Sequence, residues 1–137
     1  MSEKSYVFGY GSIRTDLESY GSVPSFLKSV GFGRIAHPLY RIKNWWGTWA
    51  GVRQDEKGET FGEVFEIEKG REKEAWEDLD DREQAESVRY PAAYLRRFVN
   101  VKMENGKTIR AFVYFVNPEQ ATFLKKIETG DWKDALK

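Results

Sequence analysis

The sequence predicts an α+β fold: a small mixed or antiparallel sheet, barrel-like in character, with one main helix and short flanking helices. Three observations carry this prediction. Sheet-forming segments outnumber helical ones, and most come in pairs around glycine-containing turns. Only residues 68–81 combine a run of strong helix formers with apolar residues at helical spacing, Ala75, Trp76 and Leu79. Strands and helices do not alternate regularly, which argues against a doubly wound architecture.

The elements follow in order. Residues 5–9 are rich in β-formers and run into Gly9-Tyr10-Gly11-Ser12, so they read as a first strand ended by a turn. Residues 22–29 read as one or two helical turns stopped before Gly31. Residues 31–42 read as a strand pair or a bent strand, with Gly33 and Pro38 interrupting the apolar positions. Residues 49–53 and 60–67 flank Asp55-Glu56-Lys57-Gly58 and read as a hairpin. After the main helix, residues 99–103 and 108–116 flank Asn105-Gly106, the strongest hairpin signal in the chain. Pro118 is placed to start a second short helix that ends before Gly130. Four prolines are scattered singly, and no linker, repeat or low-complexity tract interrupts the sequence, so one domain over 1–137 is expected.

Composition narrows the chemistry. Lys+Arg and Asp+Glu both total 22, so the formal net charge is zero and the basic excess of an electrostatic nucleic-acid binder is missing. There is no cysteine, which removes thiol nucleophiles, redox pairs and cysteine-based zinc sites. The single histidine, His37, precludes two-histidine metal motifs and reads as structural. The beginning of the sequence does not read as a secretory leader, and no apolar stretch approaches the roughly 18 residues of a membrane span. The expectation is a cytoplasmic protein with no membrane and no nucleic-acid partner. Aromatic residues make up 15%, with five Trp, seven Tyr and nine Phe. Each buries a large area, so they supply core volume to an otherwise polar chain.

Four features are candidates for function. The glycine pair at Gly9 and Gly11 suits either an ordinary tight turn or a nest of backbone N–H groups that binds an anion or oxyanion. The acidic run Glu72, Glu74, Glu77, Asp78, Asp80, Asp81, Glu83, Glu86 reads mainly as a solvated helix face. One member at a helix end near an aromatic wall would serve as a general base, but residue chemistry does not choose among them. Trp45, Trp46 and Trp49 read as core packing, with a stacking platform for a sugar or a single-stranded nucleic acid as the alternative. Arg96 and Arg97 are neighbours on an expected strand, so their side chains point to opposite faces and form no basic patch.

Taken together, these segments resemble the γ-glutamylcyclotransferase-like family, which includes γ-glutamylamine cyclotransferases and plant avirulence-induced homologues. Tyr6-Val7-Phe8-Gly9-Tyr10-Gly11-Ser12-Ile13 looks like the family's opening strand and its Tyr-Gly-Ser/Thr-Leu loop. Phe61-Gly62-Glu63-Val64-Phe65 is similar to the strand before its main helix, and Leu79-Asp80-Asp81-Arg82-Glu83 to the Leu-Asp-x-x-Glu segment that ends it. Tyr94-Leu95-Arg96-Arg97, Ala111-Phe112-Val113-Tyr114-Phe115 and the tail around Trp132 complete the series in the family's order. No single motif is specific; the ordered set is.

The resemblance implies a small barrel with Glu83 as catalytic acid/base. It implies that Tyr10, Gly11, Ser12 and Ile13 hold a γ-glutamyl head group through backbone N–H groups, and that Tyr94 and Tyr114 line the pocket. Two departures stand out: Ile13 replaces the usual Leu, and Gln84 follows Glu83 where many members have Gly. The connection over 84–93 is also longer than in compact members and is expected at the pocket mouth.

The implied reaction suits the composition. A γ-glutamyl amide carries its own nucleophile, the α-amino group, so the enzyme mainly holds the folded conformer while 5-oxoproline and a free amine form. The chemistry asks for one carboxylate and no metal or cofactor. The alternative is a non-catalytic, small-molecule-binding or regulatory member of the same fold. The leaving amine and the oligomeric state are not encoded in any motif.

Overall fold

The computed structural model describes residues 4–10, 25–45, 47–88 and 90–127. Eight strands and a helix appear among them: β1 Ser5–Gly9, β2 Leu27–Ile35, β3 Leu39–Asn44, β4 Gly47–Val52, β5 Thr60–Ile67, α1 Glu72–Glu83, β6 Tyr94–Met103, β7 Thr108–Val116 and β8 Thr122–Ile127. Five strands close a barrel in the order β1-β5-β2-β6-β7, and a parallel contact of β7 with β1 at Val7 and Phe112 completes the ring. The far end of β7 carries β4 through Val52 and Phe115, and β3 and β8 extend the sheet beyond β4.

The period-2 geometry of strands explains why two cores form. On β7, Val113 and Phe115 point into the barrel with Phe8, Ile35, Val64 and Val101. Tyr114 and Val116 point the other way and pack with Val7, Phe65, Ala75, Leu79 and Tyr94, beneath α1. Both faces of the second half of β7 are therefore buried, and Ala111–Val116 reads as a continuous apolar run. Gly62 is required where β1 meets β5: a Cβ there would overlap the Gly9 carbonyl oxygen and lie 2.6 Å from Phe8 Cζ.

The class and the Asn105-Gly106 hairpin agree with the sequence reading, with Lys102 opposite Thr108 at its end. Residues 31–42 form parts of two strands, as expected. Four readings are corrected. Residues 25–29 are not helical: Leu27 already pairs with Ile67 in the β2–β5 ladder. Residues 49–53 and 60–67 are strands but not a hairpin. β4 pairs with β3, while β5 lies between β1 and β2, because non-local pairing overrides proximity in sequence. Residues 122–127 form an edge strand on β3 rather than a helix, with Leu39 opposite Ile127. Trp45 and Trp49 are not core residues either, being 46% and 40% exposed, and Trp46 lies outside the described residues.

Candidate active site

The helix α1 delivers two carboxylates to the protein interior. Ala75 and Leu79 bury its apolar side, and the same side carries Asp80 and Glu83, 4% and 6% exposed. This is the i, i+3, i+4 geometry of one helix face. The helix ends immediately after Glu83. Gln84 takes the left-handed conformation at φ +50°, the position that favours glycine in a helix C-cap. Its Nε2 donates to the Asp81 carbonyl. The Ala85 N–H donates to the Asp80 carbonyl at 3.0 Å and the Ala93 N–H to the Gln84 carbonyl at 2.9 Å. Ala85 also bridges to Tyr94. These bonds set the turn carrying Glu83 against the start of β6.

Three tyrosines surround this turn, each buried. Tyr10, just after β1, donates its hydroxyl proton to the Tyr114 carbonyl and accepts from the Val52 N–H at 3.3 Å. Tyr94, at the start of β6, donates to the Ala50 carbonyl at 3.5 Å. Tyr114, on β7, donates to Asp80 Oδ1 at 2.6 Å. Burial raises the pKa of all three hydroxyls. The Tyr94 hydroxyl and the Glu83 charge raise Tyr10 further. Glu83 raises Tyr94. The bond to Asp80 raises Tyr114, and Glu83 adds to it. All three are therefore neutral phenols at physiological pH. The Glu83 charge is a common contributor to all three shifts.

Asp80 is the residue that sequence reasoning missed, having been grouped with a solvated acidic face. Its Oδ2 also accepts from Ser87 Oγ at 2.8 Å, and Arg96 Nη1 lies 3.1 Å from both carboxylate oxygens. The available signal was its place three residues before Glu83, on the face that carries Ala75 and Leu79. Arg96 and Arg97 take different partners, Asp80 and Glu86. The 84–93 connection is tied down at its two ends, while Glu86, Ser87, Val88 and Pro91 are exposed. Ala85, Ala92 and Ala93 are buried, although Tyr90 is exposed. Gly11, Ser12 and Ile13 lie outside the described residues.

Residues 7–134 match the family model described as Gamma-glutamyl cyclotransferase, AIG2-like. The chain belongs to this family. It is 30% identical over 130 residues, 94% of this chain and 96% of the relative, to the Methanocaldococcus jannaschii protein named "Putative gamma-glutamylcyclotransferase". Its fold is similar to that of a solved gamma-glutamyl cyclotransferase, with a TM-score of 0.60 and 19% identity over 90% of this chain and 70% of the other. It is also similar to an AIG2-like protein of Mus musculus, with a TM-score of 0.59 and 17% identity over 93% and 90% of the two chains.

Proposed function

We propose that this protein releases 5-oxoproline and a free amine from a small γ-glutamyl compound by intramolecular cyclisation. The observation that carries the proposal is a carboxylate, Glu83, buried at a helix end among three neutral tyrosines. In the reaction, the substrate's α-ammonium group loses one proton to solvent, and Glu83 takes a second from the amine nitrogen as it attacks. The freed amine attacks the γ-carbonyl carbon, closing a five-membered ring. The tetrahedral intermediate then collapses, the γ-amide C–N bond breaks, and Glu83 returns the proton to the leaving amine. One carboxylate thus serves both proton transfers, a role worth typically about 10²–10⁴-fold.

The backbone N–H groups of Gly11, Ser12 and Ile13 are assigned to the γ-glutamyl head group and the developing oxyanion, on sequence alone. A single such donor is worth about 2.7–4 kcal/mol. Tyr10 and Tyr114 give their hydroxyls to protein acceptors at short range and shape the site's wall. Tyr94, whose bond to Ala50 is at the 3.5 Å limit, is the hydroxyl best placed to turn to a substrate.

The test is a panel of γ-glutamyl amino acids, γ-glutamyl amines and glutathione, with 5-oxoproline measured directly. Glu83→Gln keeps the shape of the side chain and removes its basicity. The expected result is loss of 5-oxoproline release by at least a hundredfold with an unchanged unfolding midpoint. Full turnover by Glu83→Gln would overturn the assignment.

A further inference from the structure

We propose that Asp80 is a positioning residue for this reaction, clamping the last turn of α1 to β6, β7 and the following loop so that Glu83 is held in its working place. The inference rests on the functional reading above and adds a residue to it. Asp80 is buried, and its carboxylate draws donors from three separate parts of the chain. Tyr114 comes from β7 at 2.6 Å, Arg96 from β6 at 3.1 Å and Ser87 from the loop at 2.8 Å. Arg96 is itself held, with its guanidinium 4.2 Å from the Trp76 ring centroid and 5.3 Å from that of Phe112. The clamp therefore has rigid walls.

A helix end needs such a clamp more than a helix middle, because terminal turns fray. This one ends on a left-handed glutamine rather than a glycine, which adds local strain. Glu83 lies three residues beyond Asp80, so the two side chains neighbour one another on one face. A rotation or shift of the turn moves both. A misplacement of about 1 Å in a reacting group costs about 10²-fold in rate. The same Tyr114 accepts the Tyr10 hydroxyl at its carbonyl. Tyr114 is thus the common post for the helix end and for the residue that opens the 10–13 loop.

The test compares the full-length wild type with Asp80→Asn. It measures kcat, KM, unfolding midpoint and hydrogen exchange of the Ala85 amide, which donates to the Asp80 carbonyl. The expected result for Asp80→Asn is a ten- to hundredfold fall in kcat, KM within twofold, and exchange at Ala85 at least tenfold faster. A kcat within twofold of wild type, or a fall matched by the unfolded fraction, would overturn the clamp. If Asp80→Asn does not fold, Ser87→Ala removes one donor of the three. It is then expected to lower kcat three- to tenfold, and an unchanged kcat overturns the proposal. If wild type turns over no member of the panel, the functional reading fails separately. Exchange then decides: protection of Ala85 equal to wild type overturns the clamp, and faster exchange confined to residues 84–88 upholds it.

Discussion

Two tyrosine–carboxylate pairs in this molecule have nearly the same length and opposite settings. Tyr114 donates to Asp80 at 2.6 Å; Tyr40 donates to Glu56 at 2.7 and 2.8 Å. Each carboxylate has a cation, Arg96 at 3.1 Å on Asp80 and Lys126 at 2.9 Å on Glu56. An arginine lies over an aromatic ring beside each pair, Arg96 on Trp76 at 4.2 Å and Arg53 on Phe123 at 4.4 Å. The difference is water. The Asp80 side chain is 6% exposed and that of Glu56 30%. The Asp80 carboxylate and the Tyr114 hydroxyl have almost no solvent to replace a lost partner, so the pair fixes geometry. Around Glu56 water competes and screens, so the same contacts matter less. Residue identities do not distinguish the two sets; their places relative to α1 and the barrel do.

The sharpest way to break this comparison is catalytic. Glu83→Gln is expected to abolish 5-oxoproline release, while Glu56→Gln leaves it unchanged; equal loss in both would mean that the buried set has no special role. The next effect is on stability. Asp80→Ala leaves the Tyr114 hydroxyl and Arg96 without their acceptor, at a cost of about 2–4 kcal/mol in urea unfolding. Glu56→Ala is expected to leave the midpoint unmoved.

Alkaline titration sharpens the same contrast. Tyr10, Tyr94 and Tyr114 have folded pKa values above the unfolded value of about 10. Their contribution is fully present below that pH and is lost as pH rises towards the folded values, because the unfolded chain then releases protons that the folded chain keeps. The loss approaches about 1.4 kcal/mol per pH unit for each of these tyrosines. Absorbance at 295 nm is expected to show them ionising only as the protein unfolds. Tyr40, raised chiefly by its bond to Glu56, is expected to ionise in the folded protein.

Much of the fold was legible because it rests on local chemistry. Asn105-Gly106 announces its hairpin, and runs of β-formers such as residues 5–9 announce strands. The places where reading failed share a cause. The 60–67 strand joins β1 and β2 rather than its nearer neighbour β4, and turn residues carry no information about such long-range pairing. Pro118 is placed well for a helix start, yet residues 122–127 pair with β3 as a largely exposed edge strand whose pattern matches neither period. Glu83 was legible only through the family's Leu-Asp-x-x-Glu segment. Asp80, one position into that segment, was hidden because burial of a carboxylate depends on Tyr114, Arg96 and Ser87, which are distant in sequence or lie beyond the helix.

The smallest expected effect concerns the departure at Gln84. Gln84→Gly relieves the left-handed backbone but gives up the Nε2 bond to Asp81. A net gain of at most about 1 kcal/mol follows, read from the urea midpoint. A loss of more than this would mean that the side chain, not the backbone, holds the turn.

If Glu83 and the loop after β1 share one ligand, a crystal of the protein soaked with 5-oxoproline will show it. The lactam ring is expected within hydrogen-bond reach of the Glu83 carboxylate, with its oxygen directed at the backbone of residues 11–13. Product bound elsewhere, with Glu83 making no contact to it, would rule out a shared site.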